Sequence, residues 1–117
     1  MKYFDISEFD SPDLRGSGEN MSKITLEMLD TAREYANIPF KISSGYRTTA
    51  HNQRVGGVEG SSHTLGYAAD IVCNDSVSRF KIIKACLFAG FNRIGISKNF
   101  IHVDNDPNKS SDVVWLY

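Results

Sequence analysis

Apolar residues recur at helical spacing from Ile24 through Met28 and Ala32 to Tyr35 or Ala36, which predicts an amphipathic helix ending near Ala36. Ser22 suits its N-cap, Met21 and Leu26 stand where a hydrophobic staple would sit, and Asn37 with Pro39 stops it. Phe40 to Ser44 alternates and reads as a strand running into Gly45. Thr48 to Arg54 is polar and predicts a short helix closed by Gly56-Gly57, followed by a loop through Gly60, Ser61 and Ser62. Ala68 to Cys73 reads as a buried strand carrying one acid, Asp70. Asp75 or Ser76 caps a second long helix, with Val77, Phe80, Ile83 (or Lys84) and Leu87 marking its apolar face and Gly90 its stop. Two short strands follow, Arg93 to Ile96 and Asn99 to Asp104. After a turn at Asp106-Pro107-Asn108, Val113 to Tyr117 makes the last strand. Ser11 to Asn20 is rich in turn formers and reads as an irregular surface segment.

Short links between the later strands favour an antiparallel sheet. The expected fold is therefore α+β, a small antiparallel sheet with helices packed on it. At 117 residues the chain is expected to form one domain, 1–117. Its formal net charge of -1 comes from scattered, mixed-sign residues, which argues against a nucleic-acid surface. No run of ~18 apolar residues exists, so no membrane insertion is expected. The opening Met1-Lys2-Tyr3-Phe4-Asp5-Ile6 places an acid where a secretory segment needs apolar continuity, so synthesis in the cytoplasm without a signal peptide is expected. Cys73 and Cys86 lie in apolar stretches outside any CxxC pair and read as buried free thiols.

The chemistry concentrates in the histidines. His63 and Asp70 are seven positions apart. A straight strand would hold their Cα atoms roughly 23 Å apart, too far to share an ion. A continuous helix would bring this to about 10.5 Å, but Ala68 to Cys73 reads as strand. The chain must therefore fold back between them, and Gly66 is the residue that permits it. In Phe100-Ile101-His102-Val103-Asp104, alternation sends Ile101 and Val103 to one face and His102 with Asp104 to the other. An imidazole beside a carboxylate is costly to bury unless the pair is bonded or binds a cation. Two histidines and one aspartate, with a fourth position left for water, match a catalytic rather than a structural zinc site.

The local words extend this reading. Ser61-Ser62-His63-Thr64-Leu65-Gly66-Tyr67-Ala68-Ala69-Asp70 follows SxHxxGxAxD, Ser44-Gly45-Tyr46-Arg47-Thr48 precedes it, and Ile101-His102-Val103-Asp104 follows. In this order the three resemble the M15 family of zinc peptidases, which includes D-Ala-D-Ala carboxypeptidases and phage endolysins that cut cell-wall peptides. The opening Phe4 to Phe9 and the closing Val113 to Tyr117 also look like its compact phage-type members. The resemblance implies one Zn2+ held by His63, Asp70 and His102. It further implies that Arg47 points into the cleft near the substrate and that Ser61 contacts the substrate. Arg47 suits the role, since a guanidinium offers a planar fork to a carboxylate or an oxyanion; a surface salt bridge is the alternative. Ser61 can equally be a simple turn serine. His51 and Asn52 are polar residues that could line the cleft.

One departure matters. Classical members of the family carry Glu or Asp three residues before the last histidine ligand, as general base, and this chain has Asn99 there. The partner histidine two before that ligand is replaced by Phe100. Asp104 is the nearest acid with the right facing. It is nominated as the catalytic base, or else as a partner that orients His102. The expected activity is hydrolysis of peptidoglycan stem peptides by metal-activated water, of carboxypeptidase or endopeptidase type, at the bacterial cell wall. The alternative is a catalytically weak, zinc-containing peptidoglycan-binding module, and a structural zinc domain is a poorer third. A monomer is expected.

Overall fold

The computed structural model describes residues 1–117. Two 3-10 turns, Ile6–Phe9 and Ser17–Asn20, open the chain. Then come α1 (Lys23–Ala36), β1 (Ile42–Ser44), α2 (Thr49–Arg54), β2 (Ala68–Val72), α3 (Ser76–Phe88), β3 (Arg93–Ile96), β4 (Phe100–Asp104) and β5 (Val113–Leu116). The caps expected at Ser22 and Asp75 form, and Thr48, not singled out as a cap, makes a third. Ser22 accepts a hydrogen bond from Thr25 N, Thr48 from His51 N and Asp75 from Ser78 N, each satisfying a backbone donor that the first helical turn leaves unpaired. Asn37 closes α1 in the left-handed region, at φ 56°.

The five strands form one sheet in the order β1-β2-β4-β3-β5. The fold is α+β as expected, but the sheet is mixed. β1, β2, β4 and β3 pair antiparallel, while β5 runs parallel to β3. The wholly antiparallel expectation assumed that β5 would pair with the strand before it. Both edges of β4 are already taken by β2 and β3. The chain after Asp104 therefore steps past the end of β3 and returns along its free edge, which makes β5 antiparallel to β4 and parallel to β3.

α1 and α3 cover one face of the sheet. Ala69, Ile71, Ile94, Ile101 and Val103 meet Leu26, Leu29, Ala32, Ile82, Ala85 and Cys86 there, and Phe4, Phe9, Met21, Phe40 and Phe91 complete the core. Cys73 and Cys86 are free and buried. No helix is long and apolar enough to cross a membrane.

The buried faces overlap those the periodicity predicted without coinciding with them: Ala32 is fully buried and Met28, Ala36 and Ile83 pack against the core. In α1 the buried residues are Thr25, Leu26, Leu29 and Ala32, with Ile24 65% exposed. Thr25 is tolerated inside because its hydroxyl donates to Asn105 Oδ1 at 2.6 Å, across the fold. In α3, Val77, Phe80 and Leu87 are exposed, and Ile82, Ala85 and Cys86 are buried instead. This helix is apolar on several sides, so its pattern alone does not select a face. Packing favours the arc with Ala85 and Cys86, whose small side chains let α3 approach its neighbours closely. Phe88 then lies outside against Tyr35 of α1, ring centroids 4.1 Å apart and nearly parallel.

Candidate metal centre

The sheet face opposite α1 and α3 carries the polar chemistry. Strand register lines up one row across all five strands: Ser44, Asp70, His102, Gly95 and Trp115. Asp70 and His102 are thus direct cross-strand neighbours. The alternation read for β4 holds: Ile101 and Val103 are in the core, and His102 and Asp104 line a pocket of about 400 Å3 on the other side.

His63 reaches the same spot from a loop. The chain turns back after it, with Gly66 at φ 79°. A Cβ on Gly66 would collide with the carbonyl of Asn20, and the Gly66 carbonyl accepts from Ser22 N at 2.9 Å, so the turn is locked to the start of α1. Tyr67 N donates to Ser62 O at 3.0 Å, closing the loop, and Arg47 N donates to His63 O at 3.1 Å. Ser62 Oγ donates to Asp106 Oδ2 at 2.7 Å, tying the loop to the segment after β4.

His63, Asp70 and His102 are all buried, and each offers one ligand atom within 4.8 Å of the others. His63 Nδ1–H donates to the Gly45 carbonyl at 2.8 Å, and its Nε2 lies 3.3 Å from Asp70 Oδ1. His102 Nε2–H donates to Asp104 Oδ2 at 2.6 Å, and its Nδ1 lies 3.0 Å from Asp70 Oδ1. A carbonyl and a carboxylate can only accept, so both rings carry a proton on the outer nitrogen. A neutral ring then presents its lone pair inward. Two lone pairs and a carboxylate oxygen meeting at one point repel unless a cation or protons lie between them. Tetrahedral zinc, with bonds of about 2.0–2.1 Å, spaces its ligand atoms about 3.3 Å apart. The donor set fits such an ion.

Electrostatics point the same way. Burial pushes the Asp70 carboxyl up, but hydrogen bonds and attraction from His102 and His63, which act when those rings are protonated, outweigh this and hold it well below the usual carboxylate range. Burial lowers His102, while its bonds to Asp104 and Asp70 raise it by more. This is a pair of bases held beside an anion, an arrangement that welcomes positive charge.

The other sequence candidates are placed as follows. Arg47 lines the pocket, donating Nε to Ser44 Oγ (3.0 Å), Nη1 to Asn52 Oδ1 (3.1 Å) and Nη2 to Asp70 Oδ2 (3.5 Å). Ser61 also lines it, and its Oγ accepts from His63 N at 3.2 Å. Asn52 is buried behind Arg47, whereas His51 and Asn99 do not reach the pocket. Asp104 is fully buried: Oδ2 serves His102, and Oδ1 accepts from Arg93 Nε at 2.8 Å and from Asp106 N at 3.1 Å.

Arg93, Lys109, Trp115 and Tyr117 line the pocket without having been singled out from the sequence. For Arg93 a signal was available, since alternation around the core residue Ile94 turns it to the same face as His102.

Residues 4–104 match the family model described as Peptidase M15. No curated protein matches the chain.

Proposed function

The chain belongs to the M15 peptidase family, whose activity is hydrolysis of peptides, and from that premise we propose that it is a zinc peptidase acting on peptidoglycan stem peptides. The observation that carries this reading is the convergence of His63 Nε2, Asp70 Oδ1 and His102 Nδ1, with the outer nitrogen of each ring already taken by an acceptor. These three would hold one zinc ion. The chemistry supplied by bound zinc is Lewis acidity, which polarises a scissile carbonyl and makes a water acidic enough to attack near neutral pH.

The protein's own residues do the rest. The Gly45 carbonyl and Asp104 fix the tautomer and angle of the two rings. Arg47 has five N–H donors, and the framework engages three of its nitrogens, so donors are left for a substrate carboxylate or a developing oxyanion. Ser61 holds the backbone of His63 and edges the pocket. Asp104 and Asp70 are the only carboxylates lining it. Asp104 has both oxygens engaged, so we assign it to holding His102. Proton transfer is then the weakest part of this machinery, and slow turnover is expected. The site of action we propose is the bacterial cell wall.

That same shortage of a free carboxylate, together with Asn99 where the family acid stands, favours a second reading: a zinc-containing module that binds wall peptides and cuts them poorly or not at all. One experiment separates the two. Purified protein is assayed for zinc, then incubated with peptidoglycan and its stem peptides, and the products are read by mass spectrometry. One zinc per chain with new peptide fragments supports the peptidase. Stoichiometric zinc with every peptide intact removes it in favour of the binding module. Protein that takes up no zinc defeats both.

A further inference from the structure

One wall of the pocket lies outside the family match, which ends at Asp104. It is built by β5. The Trp115 ring stands 5.4 Å from the His102 ring, the Arg93 guanidinium lies over it at 5.1 Å, and the Tyr117 ring stands 5.2 Å from that of Phe100.

Two features indicate that this wall is what β5 is for. Along the strand, the positions on the core side of the sheet are Val114 and Leu116, opposite Ile94 and Ile96, and they are 60% and 78% exposed. An edge strand that served the core would bury those positions, so this one packs through its other face. Second, Gly95 separates Trp115 from His102 in the cross-strand row. A Cβ there would come within 2.6 Å of Trp115 Nε1 and 2.7 Å of Tyr117 Cε2. β3 is bare at the single place where both rings must cross it to reach β4. Half-buried Trp115 is therefore held in place, with Gly95 of β3 beneath it, Arg93 over its face and His102 beside it, while the more exposed Tyr117 flanks it against Phe100.

Resting on the reading of this pocket as a peptide site, we propose that Trp115 and Tyr117 are its specificity-determining wall: they limit the residue beside the scissile bond to a small aliphatic side chain laid against the rings. The cavity of about 400 Å3 is at the small end for ligand sites, so a rigid wall decides what fits. Apolar pockets discriminate by about 10- to 200-fold per methylene gained or lost.

The test compares wild type with Trp115→Ala, Trp115→Phe and Tyr117→Ala. The probes are a synthetic stem pentapeptide and analogues with one alanine replaced by valine or leucine, with kcat/KM and zinc content measured for each protein. Wild type is expected to prefer alanine over leucine by about 10-fold or more. Trp115→Ala should erase most of that preference while retaining zinc, Trp115→Phe should keep most of it, and Tyr117→Ala should fall between. Tyr117 is largely exposed, so its truncation keeps the question answerable should Trp115→Ala fail to fold. If wild type binds the peptides without cutting them, the same ratio is read from calorimetric dissociation constants. Trp115, the only tryptophan in the chain, should then also shift its emission on binding. A preference unchanged in zinc-loaded Trp115→Ala and Tyr117→Ala overturns the wall and leaves the peptidase reading standing. Wild-type protein that neither cuts nor binds any of the peptides overturns both.

Discussion

Asp104 accepts a 2.6 Å hydrogen bond from Nε2 of His102, two places before it on the same strand, and gives its other oxygen to Arg93 at 2.8 Å. Neighbours at i and i+2 on a strand share a face, so β4 carries a candidate ligand and its support as one unit. Asp104→Asn removes the anionic acceptor and leaves the Arg93 charge without its partner. Zinc affinity should fall about 10- to 100-fold, measured by competition with a chromogenic chelator. Undiminished affinity combined with lost turnover would return proton transfer to Asp104.

The turn that joins His63 to Asp70 depends on Gly66. Alanine there must adopt φ near 79° and press its Cβ against the Asn20 carbonyl. Gly56, at φ 73° with open space around it, supplies the control. Gly56→Ala should cost about 1–2 kcal/mol for the left-handed backbone alone. Gly66→Ala should cost more, because the clash adds to the same strain, and it should also weaken zinc binding. Urea unfolding with and without chelator measures both.

Asp13, outside the candidate metal centre, gives a pH dependence of its own. Hydrogen bonds from Ser11 and Thr48 lower its carboxyl from 3.8 to about 2. Between those values the unfolded chain binds the proton and the folded one does not, so stability rises with pH across that window. The contribution is fully present above 3.8 and is lost as pH falls through about 2. Asp13→Asn should therefore be less stable than wild type at neutral pH. The gap between their urea midpoints should close as the solution is acidified through this range, and a pH-independent gap would refute it.

Burial pushes the Cys86 thiol up to about 12, so almost no thiolate exists at ordinary pH. Native protein at pH 8 should leave Cys86 unmodified by iodoacetamide over hours, and unfolding in guanidinium should expose it at once. Peptide mapping after alkylation reads the outcome directly.

Much of the site was legible because it rests on short-range rules. Alternation separated His102 and Asp104 from Ile101 and Val103. The seven-residue spacing of His63 and Asp70 demanded a reversal, and only Gly66 stood where one was possible. Ser22 and Asp75 announced their helices through side chains that satisfy nearby backbone donors. Each of these signals is complete within a few residues, so the local sequence contains the whole interaction.

What the tertiary structure decided is how those pieces face one another. α3 is apolar on several sides, and contact with the sheet and α1 selected Ala85 and Cys86 over Phe80 and Leu87. Thr25 entered the core because Asn105, eighty positions away, meets its hydroxyl. β5 joined β3 because β4 had no free edge, and that placement set Trp115 beside His102 across a glycine. Local preference extends only as far as one hydrogen bond or one turn of chain; which surfaces meet depends on the shape and polarity of segments distant in sequence, and those become neighbours only on folding.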